Sequence, residues 1–375
     1  MRQNGLIVLC LLLLLGTARA DRYFAYFGTY TGKGSHGIYV APYDSTTGKA
    51  GELKLAAEVS NPSFLTVRPG GNLLAASSDR GPKLAAVVTY AINHTSGELR
   101  PISDAPVPCR GLCHVSFDRM GKYVFGASYS SGEIFSWPVT PDGTIGPVVS
   151  DIKSTGHGVD PTRQEQPHAH QILPAPQNDF VFVCDLGLDT VDRYRLDGAS
   201  GTLTEVRPFA AVPPGGGARH LAFAPSGRFA YVANEMGSAV TVFAYSPGDG
   251  EMRTVQTVST LPPGFTPGPI NTAAEVAVHP SGKFLYVSER GPDTIAAFTV
   301  DQASGKLTPA GHYSSGGKTP RFFTLDPAGR FLLAGNQNSA NVVLFQVNQE
   351  TGTLTPTGQE LSLVSPVCIV FVRAD

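Results

Sequence analysis

The chain has 375 residues, of which 42 are glycine, 30 are proline and only 15% are charged. A hydrophobic fraction of 42% is sufficient for a full core and excludes intrinsic disorder, and the glycine and proline content is typical of tight turns between short strands. The formal net charge of -2, with no basic block, excludes a nucleic-acid partner.

The N-terminal segment, residues 1–20, has the pattern of a cleavable signal peptide. Arg2 precedes an apolar run from Leu6 to Leu15, and the small residues Ala18 and Ala20 suit a cleavage site. The run is shorter than the ~20 residues that a membrane span needs, and no later stretch is apolar enough. We therefore predict an exported protein, periplasmic or secreted, without a membrane span, in which residues 21–375 form a single domain.

The rest of the chain contains a repeat with a period near 50 residues. Three segments, starting at Ala224, His279 and Asp326, align without a gap over 29 positions. Together with three looser copies, they share an anchor position that is occupied by Gly71, Gly121, Asn178, Gly227, Gly282 and Gly329. Successive anchors are 50, 57, 49, 55 and 47 residues apart, and a period of this size indicates a propeller or a solenoid.

Each repeat contains four short strand-like segments separated by turns. Around Ala224 they read RHLAFAP, FAYVANE, AVTVFAYS and EMRTVQTVST, with alternating apolar residues and many β-branched or aromatic ones. Seven such units around one axis predict an all-β fold, a seven-bladed β-propeller with four-stranded antiparallel blades. The C-terminal SPVCIVFVRAD matches only a first strand, and the chain after residue 20 begins with a second strand, so both termini are expected to complete one blade.

Polar residues concentrate at positions of the repeat that should meet at one end of the central channel. Because the first and second strands of a blade are antiparallel, the start of the first lies beside the end of the second. These positions diverge into charged and hydrogen-bonding types, whereas framework positions such as Phe229 and Phe284 repeat. The candidates are His168, His170, Arg219, His220, Glu235, Glu275, Arg290, Arg321 and Gln337. Together they predict a concave site for a small anion or a lactone.

Some of these residues also have purely structural interpretations. Arg219 with Glu235, or Arg290 with Glu275, would suit ion pairs that tie neighbouring blades together. The histidines would equally suit a hydrogen-bonded core. Convergence of several polar positions on one face nevertheless favours a site.

Neither a metal centre nor a disulfide follows from the pattern. His168 and His170 have the spacing of two ligands on one strand face, but no third ligand is evident, so we expect no metal and no cofactor. Four cysteines follow the signal peptide, namely Cys109, Cys113, Cys184 and Cys368. They suit either buried thiols or a single disulfide, for which Cys109 and Cys113 are the local candidates, and the choice stays open.

The repeat units are similar to those of a known family. RHLAFAPSGRFAYVANE, HPSGKFLYVSERG and PRFFTLDPAGRFLLAGNQ resemble units of the seven-bladed propeller lactonases, which include propeller-type 6-phosphogluconolactonases and fungal carboxy-cis,cis-muconate lactonising enzymes. The resemblance covers essentially all of residues 21–375. It implies an active-site cluster of His170, Arg219, Glu235 and Arg290, with Arg321 as the rival of Arg290. The other candidates are then expected to bind the substrate.

The resemblance implies metal-independent hydrolysis of a sugar lactone to the aldonic acid at the channel mouth. Arg219, with Arg290 or Arg321, would stabilise the oxyanion, and Glu235 or His170 would be the general base. Because phosphorylated sugars are largely cytosolic, we expect an exported member to take gluconolactone rather than 6-phosphogluconolactone. Two alternatives stay open, namely muconate cyclase-type lactonisation and a secreted propeller that binds a small carboxylate or a protein without catalysis.

Overall fold

Short strands and tight glycine turns follow one another throughout the described part of the chain, as its composition predicts. The computed structural model describes residues 22–268 and 271–375, where thirty strands form seven antiparallel sheets. In this part of the chain no helix is long and apolar enough to cross a membrane. The signal peptide predicted for residues 1–20 lies outside the described residues.

The strands follow the predicted repeat. The first four belong to a sheet that the C-terminus completes, and they are β1 (Arg22–Thr29), β2 (Gly37–Asp44), β3 (Lys49–Ala50) and β4 (Lys54–Glu58). Blade 1 consists of β5 (Leu65–Val67), β6 (Leu73–Asp79), β7 (Ala85–Ile92) and β8 (Leu99–Val107). Blade 2 consists of β9 (Leu112–Phe117), β10 (Tyr123–Ser128), β11 (Glu133–Pro138) and β12 (Ser150–Lys153). Blade 3 consists of β13 (Ala169–Pro174), β14 (Phe180–Asp185), β15 (Thr190–Leu196), β16 (Leu203–Glu205) and β17 (Ala210–Ala211).

The second half of the chain repeats the same order more regularly. Blade 4 consists of β18 (Ala218–Phe223), β19 (Phe229–Asn234), β20 (Ala239–Tyr245) and β21 (Met252–Ser259). Blade 5 consists of β22 (Thr272–Val278), β23 (Phe284–Arg290), β24 (Thr294–Val300) and β25 (Leu307–Ser314). Blade 6 consists of β26 (Pro320–Leu325), β27 (Phe331–Asn336), β28 (Asn341–Val347) and β29 (Leu354–Ser362). The last strand is β30 (Pro366–Arg373).

Both ends of the described chain meet in blade 7. Here β30 pairs antiparallel with β1, with Ile369 opposite Phe27 and Arg373 opposite Tyr23, so a C-terminal strand is the innermost strand of a sheet begun at the N-terminus. The first strands of successive blades contact one another around a complete ring. The predicted seven-bladed propeller, with one blade closed by both termini, is therefore confirmed.

A repeated contact between neighbouring blades explains why framework positions such as Phe229 and Phe284 are aromatic. In blade 4, Phe229 packs against Gly305, which lies in the turn between the third and fourth strands of blade 5, and a Cβ at this glycine would come within 2.4 Å of the Phe229 ring. Gly305 has φ +73°, and its carbonyl accepts a hydrogen bond from the Tyr231 hydroxyl at 3.2 Å. Phe284 and Gly352 repeat the contact between blades 5 and 6. Blades 4 and 5 therefore each bury an aromatic side chain against a turn of the next blade.

Candidate functional site

In every described blade except blade 1, the pairing of the inner strand is irregular near its start. In β13 the pairing shifts between Ala169 and Gln171, so His170 lies outside the ladder. Arg219 in β18 and Arg321 in β26 occupy the equivalent bulges. An extra residue in a β-bulge is unpaired and changes the direction of its side chain. The divergent positions at the start of the first strands therefore coincide with the bulges in these blades.

These bulges border a cavity of about 350 Å³, the mouth cavity, at the end of the channel where the first strands begin. It is lined by Tyr30, Asp79, Arg110, Gly111, Cys113, Tyr129, Ser130, Arg163, His170, Glu235, Arg290 and Arg321. Deeper along the inner strands lies a void of about 10 Å³, the throat cavity. Its lining is Tyr30, Ser63, Phe64, Cys113, His170, Arg219, His220, Arg321, Phe322 and Val367.

Three arginines converge on the buried carboxylate of Glu235. Arg163 Nη2 donates a hydrogen bond to Oε1 at 2.7 Å, while Arg219 Nε and Arg290 Nη2 lie 2.9 Å and 3.0 Å from Oε2. Burial alone would raise the pKa of Glu235, but the guanidinium groups of Arg290, Arg219 and Arg163 outweigh it and hold the pKa well below its usual range. Glu235 is therefore an anion at neutral pH.

The arginines are held in different ways. Arg219 Nη1 donates to the Ala274 carbonyl at 2.8 Å, but its buried Nε–H is not aligned with any acceptor among the described residues. Arg290 is likewise fixed by the backbone of β22, through carbonyls at its start. Arg321 lies over the Tyr30 ring, 5.4 Å from its centroid, and in residues 22–268 and 271–375 it has no ion-pair partner. Arg321 is therefore free to bind an anionic group.

His170 faces the same carboxylate. Its Nε2 lies 3.9 Å from Glu235 Oε2, and its ring meets the Tyr129 ring edge to face with centroids 5.5 Å apart. Burial and the neighbouring guanidinium groups of Arg219, Arg321 and Arg290 lower the pKa of His170 well below the usual histidine value. The imidazole is therefore neutral at pH 7.

His220 and Glu275 lie one layer deeper than the mouth cavity. His220 Nδ1 is 2.8 Å from Glu275 Oε2, and the His220 ring packs edge to face against the rings of His114 and His170. Burial raises the pKa of Glu275 to about 8, and burial together with Arg219 lowers the pKa of His220. The carboxylate partner of Arg290 is Glu235, whereas Glu275 pairs with the histidine.

Two further candidates, His168 and Gln337, line neither the mouth cavity nor the throat cavity. The His168 ring stacks on Tyr129 with centroids 4.4 Å apart, and its Nδ1 is 2.7 Å from the Tyr129 carbonyl. Tyr129 therefore separates His168 from His170. Gln337 follows β27, where its backbone N–H donates to the Thr319 carbonyl. Among the described residues, no group of three or more His, Cys, Asp or Glu side chains is placed to hold a metal ion.

The four cysteines of the described chain are thiols, so the Cys109–Cys113 disulfide that the sequence left open is not formed in this structure. Cys113 occupies the bulge of β9 and lines both cavities. Burial raises the pKa of its thiol to about 11, so Cys113 is uncharged at neutral pH.

A family model described as "Lactonase, 7-bladed beta-propeller" matches residues 24–371. The chain belongs to this lactonase family. It is 38% identical over 305 residues to the 6-phosphogluconolactonase of Bacillus subtilis, covering 81% of this chain and 85% of that protein. A 6-phosphogluconolactonase of Formosa agariphila is 29% identical over 308 residues, covering 80% and 86% of the two chains.

A solved structure is also similar over its full length. The periplasmic gluconolactonase of Pseudomonas aeruginosa superposes with a TM-score of 0.88 at 33% identity, covering 94% of this chain and 100% of that one. Together with the named relatives, this similarity makes the chain a lactonase that acts on lactones by hydrolysis. It decides against the non-catalytic binding propeller.

Sequence reasoning missed two arginines of this lactonase. Arg163 comes from residues 154–168, the longest connection between described blades, and Arg110 comes from the short connection between β8 and β9. These connections have no counterpart in the repeat alignment. The propeller topology could have indicated them. A connection from an outer strand to the next inner strand must end at the face where that inner strand begins, so its residues can reach the mouth cavity.

Proposed function

We propose that this lactonase opens the ring of a gluconolactone-type sugar lactone in the mouth cavity without a metal ion. The observation that carries the proposal is the position of Glu235, which has guanidinium nitrogens at 2.7, 2.9 and 3.0 Å and the His170 imidazole at 3.9 Å. Lactone hydrolysis needs positive charge for the developing oxyanion and a base for the attacking water. This cavity offers both.

Arg321 is the arginine best suited to the oxyanion. It lines the mouth cavity and has no carboxylate partner among the described residues, whereas Arg219 lines the throat cavity and its Nε lies 2.9 Å from Glu235 Oε2. Arg290 instead contacts Glu235 through the same nitrogen that donates to the β22 backbone. Fixed guanidinium groups can stabilise an oxyanion without a Lewis acid, which is the basis for proposing metal independence.

His170 suits the role of general base better than Glu235. The carboxylate of Glu235 is already paired with three arginines, whereas the His170 imidazole is neutral and so keeps an unprotonated ring nitrogen. His170 would take a proton from water as the water oxygen attacks the carbonyl carbon. It would return that proton to the ring oxygen when the C–O bond breaks, which leaves the aldonic acid.

The substrate class is supported by the relatives together with the N-terminus. Residues 1–20 have the pattern of a signal peptide, so we propose that residues 21–375 form the mature, single-domain protein and that it acts in the periplasm or outside the cell. The periplasmic gluconolactonase of Pseudomonas aeruginosa, similar over its full length, agrees with an unphosphorylated substrate.

We expect the purified enzyme to hydrolyse glucono-δ-lactone with a higher kcat/KM than 6-phosphoglucono-δ-lactone. Proton release on a panel of lactones, corrected for spontaneous hydrolysis and measured with and without chelator, provides the comparison. Loss of activity with chelator would contradict metal independence, and faster turnover of the phosphorylated lactone would contradict the substrate assignment. Lactone formation from a carboxymuconate in the same panel would favour the cyclase alternative.

Arg321→Ala is expected to lower kcat by roughly 100- to 1,000-fold, as for the loss of one oxyanion donor. Arg228→Ala is the matched control, because Arg228 also lies 5.4 Å above an aromatic ring, that of Phe229, but is exposed at a hairpin away from the mouth cavity. Equal activity of the two variants would remove Arg321 from the mechanism. Thermal unfolding of both variants separates a loss of activity from a loss of folding.

A further inference from the structure

Two titratable side chains beneath the mouth cavity, Glu275 and His220, are not used by the mechanism above, and they adjoin its proposed base, His170. Glu275, His220 and His170 come from consecutive blades and are 8%, 2% and 5% exposed. Glu275 Oε2 is 2.8 Å from His220 Nδ1, and the rings of His220 and His170 meet edge to face with centroids 5.1 Å apart. The three side chains therefore form a continuous path from the interior to the base of the mouth cavity.

Two ring nitrogens on this path are buried and have no hydrogen-bond partner in the described part of the chain. They are His170 Nδ1 and His220 Nε2. Both histidines line the throat cavity, whose volume of about 10 Å³ has room for one water molecule. Buried polar atoms in folded proteins are nearly always satisfied by protein or by ordered water. A single water in the throat cavity would link the two imidazoles.

We propose that Glu275, His220 and His170 form a proton relay, in which Glu275 holds the proton equivalent that His170 removes from the attacking water. This relay rests on the proposed function, because it takes His170 as the base for lactone hydrolysis. Glu275 and His220 do not line the mouth cavity. They are positioning residues that act through His170.

The protons balance within the path. In the basic form, Glu275 is a carboxylate that accepts from His220 Nδ1–H, and His170 carries its proton on Nδ1 and leaves Nε2 free. When Nε2 removes a proton from the attacking water, Nδ1–H passes its proton through the throat water to His220 Nε2. His220 then passes its own Nδ1 proton to Glu275. Reversal of these steps gives the proton at His170 Nε2 to the departing ring oxygen.

The charges around the mouth cavity favour transfer of the proton to Glu275 over a mechanism in which His170 becomes a cation. Arg219, Arg321 and Arg290 disfavour positive charge on His170, and in the relay both histidines remain neutral in the end states. Burial raises the pKa of Glu275 to about 8, which suits a group that exchanges a proton near neutral pH. The titratable or charged groups that face Glu275 from neighbouring strands are Arg219 and His220 on β18 and Cys368 on β30, while Arg321 on β26 lies over Tyr30.

The first test reads the histidine tautomers directly and needs no substrate. In the full chain with nitrogen-15 histidine, two-bond nitrogen–proton spectra should show His170 changing from the Nε2–H form near pH 6.5 to the Nδ1–H form near pH 9. Glu275→Gln should abolish this change, because the amide does not titrate. A His170 tautomer that is unchanged between these pH values in the native sequence would overturn the relay.

The second test is the pH profile of lactone hydrolysis. With the native sequence, kcat/KM should fall below pH 8, whereas Glu275→Gln should lose that limb and lower kcat at least about tenfold at nearly unchanged KM. Glu289→Gln is the matched control, because Glu289 is a buried carboxyl of the same blade that accepts a hydrogen bond from Thr260. It should keep both the limb and the rate.

The two tests separate the relay from the function on which it rests. If Glu275→Gln keeps the native pH limb and kcat, Glu275 only balances the charge of Arg219 and the relay is wrong. If none of the lactones is hydrolysed, the proposed function is wrong, and the tautomer titration of the native chain still decides whether Glu275 controls His170. Should Glu275→Gln not fold, that same titration gives the answer without a variant.

Discussion

Deletion of residues 365–375 is expected to unfold the whole propeller rather than to shorten a tail. The deleted segment contains β30, the innermost strand of blade 7, which pairs with β1 over its length and contacts the inner strands of blades 1 and 6. Without it the ring is open, and the faces of three blades lose packing at once.

The expected size of this effect follows from the buried side chains. Val367, Ile369 and Val372 are 3%, 1% and 2% exposed, and burying an aliphatic side chain stabilises a fold by roughly 1.5–3 kcal/mol. Three of them therefore contribute about 5–9 kcal/mol, which is comparable with the 5–15 kcal/mol by which a typical native protein is stable. We expect loss of the cooperative transition in thermal and urea unfolding followed by circular dichroism.

A two-residue deletion is the control for this experiment. Ala374 and Asp375 follow β30 and add two backbone hydrogen bonds, to the carbonyls of Arg22 and His94, a long hydrogen bond from Thr95 Oγ1 to Asp375 Oδ2, and the packing of the small Ala374 side chain. Their removal should lower the melting temperature by a few degrees at most, since each hydrogen bond contributes about 1 kcal/mol. A protein without residues 365–375 that melts at the native temperature would refute closure by β30.

Glu235→Gln is expected to lower kcat/KM at least about 100-fold, because it removes the charge that holds the arginines of the mouth cavity together. Arg219, Arg290 and Arg163 all lie within 3.0 Å of this carboxylate, and without it their guanidinium groups repel one another. The same carboxylate lies 3.9 Å from His170 and favours any positive charge that develops on the ring. Steady-state kinetics on glucono-δ-lactone measure this loss.

Glu235→Gln should also lower the free energy of unfolding, and the size of this loss depends on how deeply the cluster of Glu235 and its three arginines is buried. Breaking a buried ion pair from one side costs roughly 3–5 kcal/mol, and we expect the lower end because the Arg163 side chain is 40% exposed. Glu251→Gln is the control, because Glu251 pairs with Arg253 at the surface and such pairs contribute about 1 kcal/mol or less. Native kinetics in Glu235→Gln would remove the arginine cluster from the active site.

Much of the candidate site could be predicted from sequence, because it lies on the repeat. The start of each first strand and the end of each second strand occupy equivalent backbone positions in every blade, so aligned copies show which residues share the mouth. His170, Arg219, Glu235, Arg290 and Arg321 were found in this way, and they lie together. Residues outside the repeat, such as Arg163, could not be found by this alignment.

The spacing of charged residues along the sequence does not show which of them form pairs in the structure. The sequence allows either Glu235 or Glu275 as the partner of an arginine, yet Glu235 binds three arginines and Glu275 binds His220. Glu275 lies in the irregular start of the inner strand β22, one layer below the mouth cavity, whereas Glu235 follows the second strand of blade 4 and lines the mouth cavity directly. The His168 side chain is likewise turned away behind Tyr129.

The sequence by itself determined the number of blades, their strand order and the blade that both termini complete, because these follow from the repeat period and from hydrophobic alternation, which are local properties of the chain. Only the tertiary structure decided which carboxylate is ionised, which arginine is free and which histidine faces the mouth cavity. Those properties depend on distances of a few ångströms between residues from different blades, and on burial, which strengthens each charge interaction and which no single segment of the chain encodes.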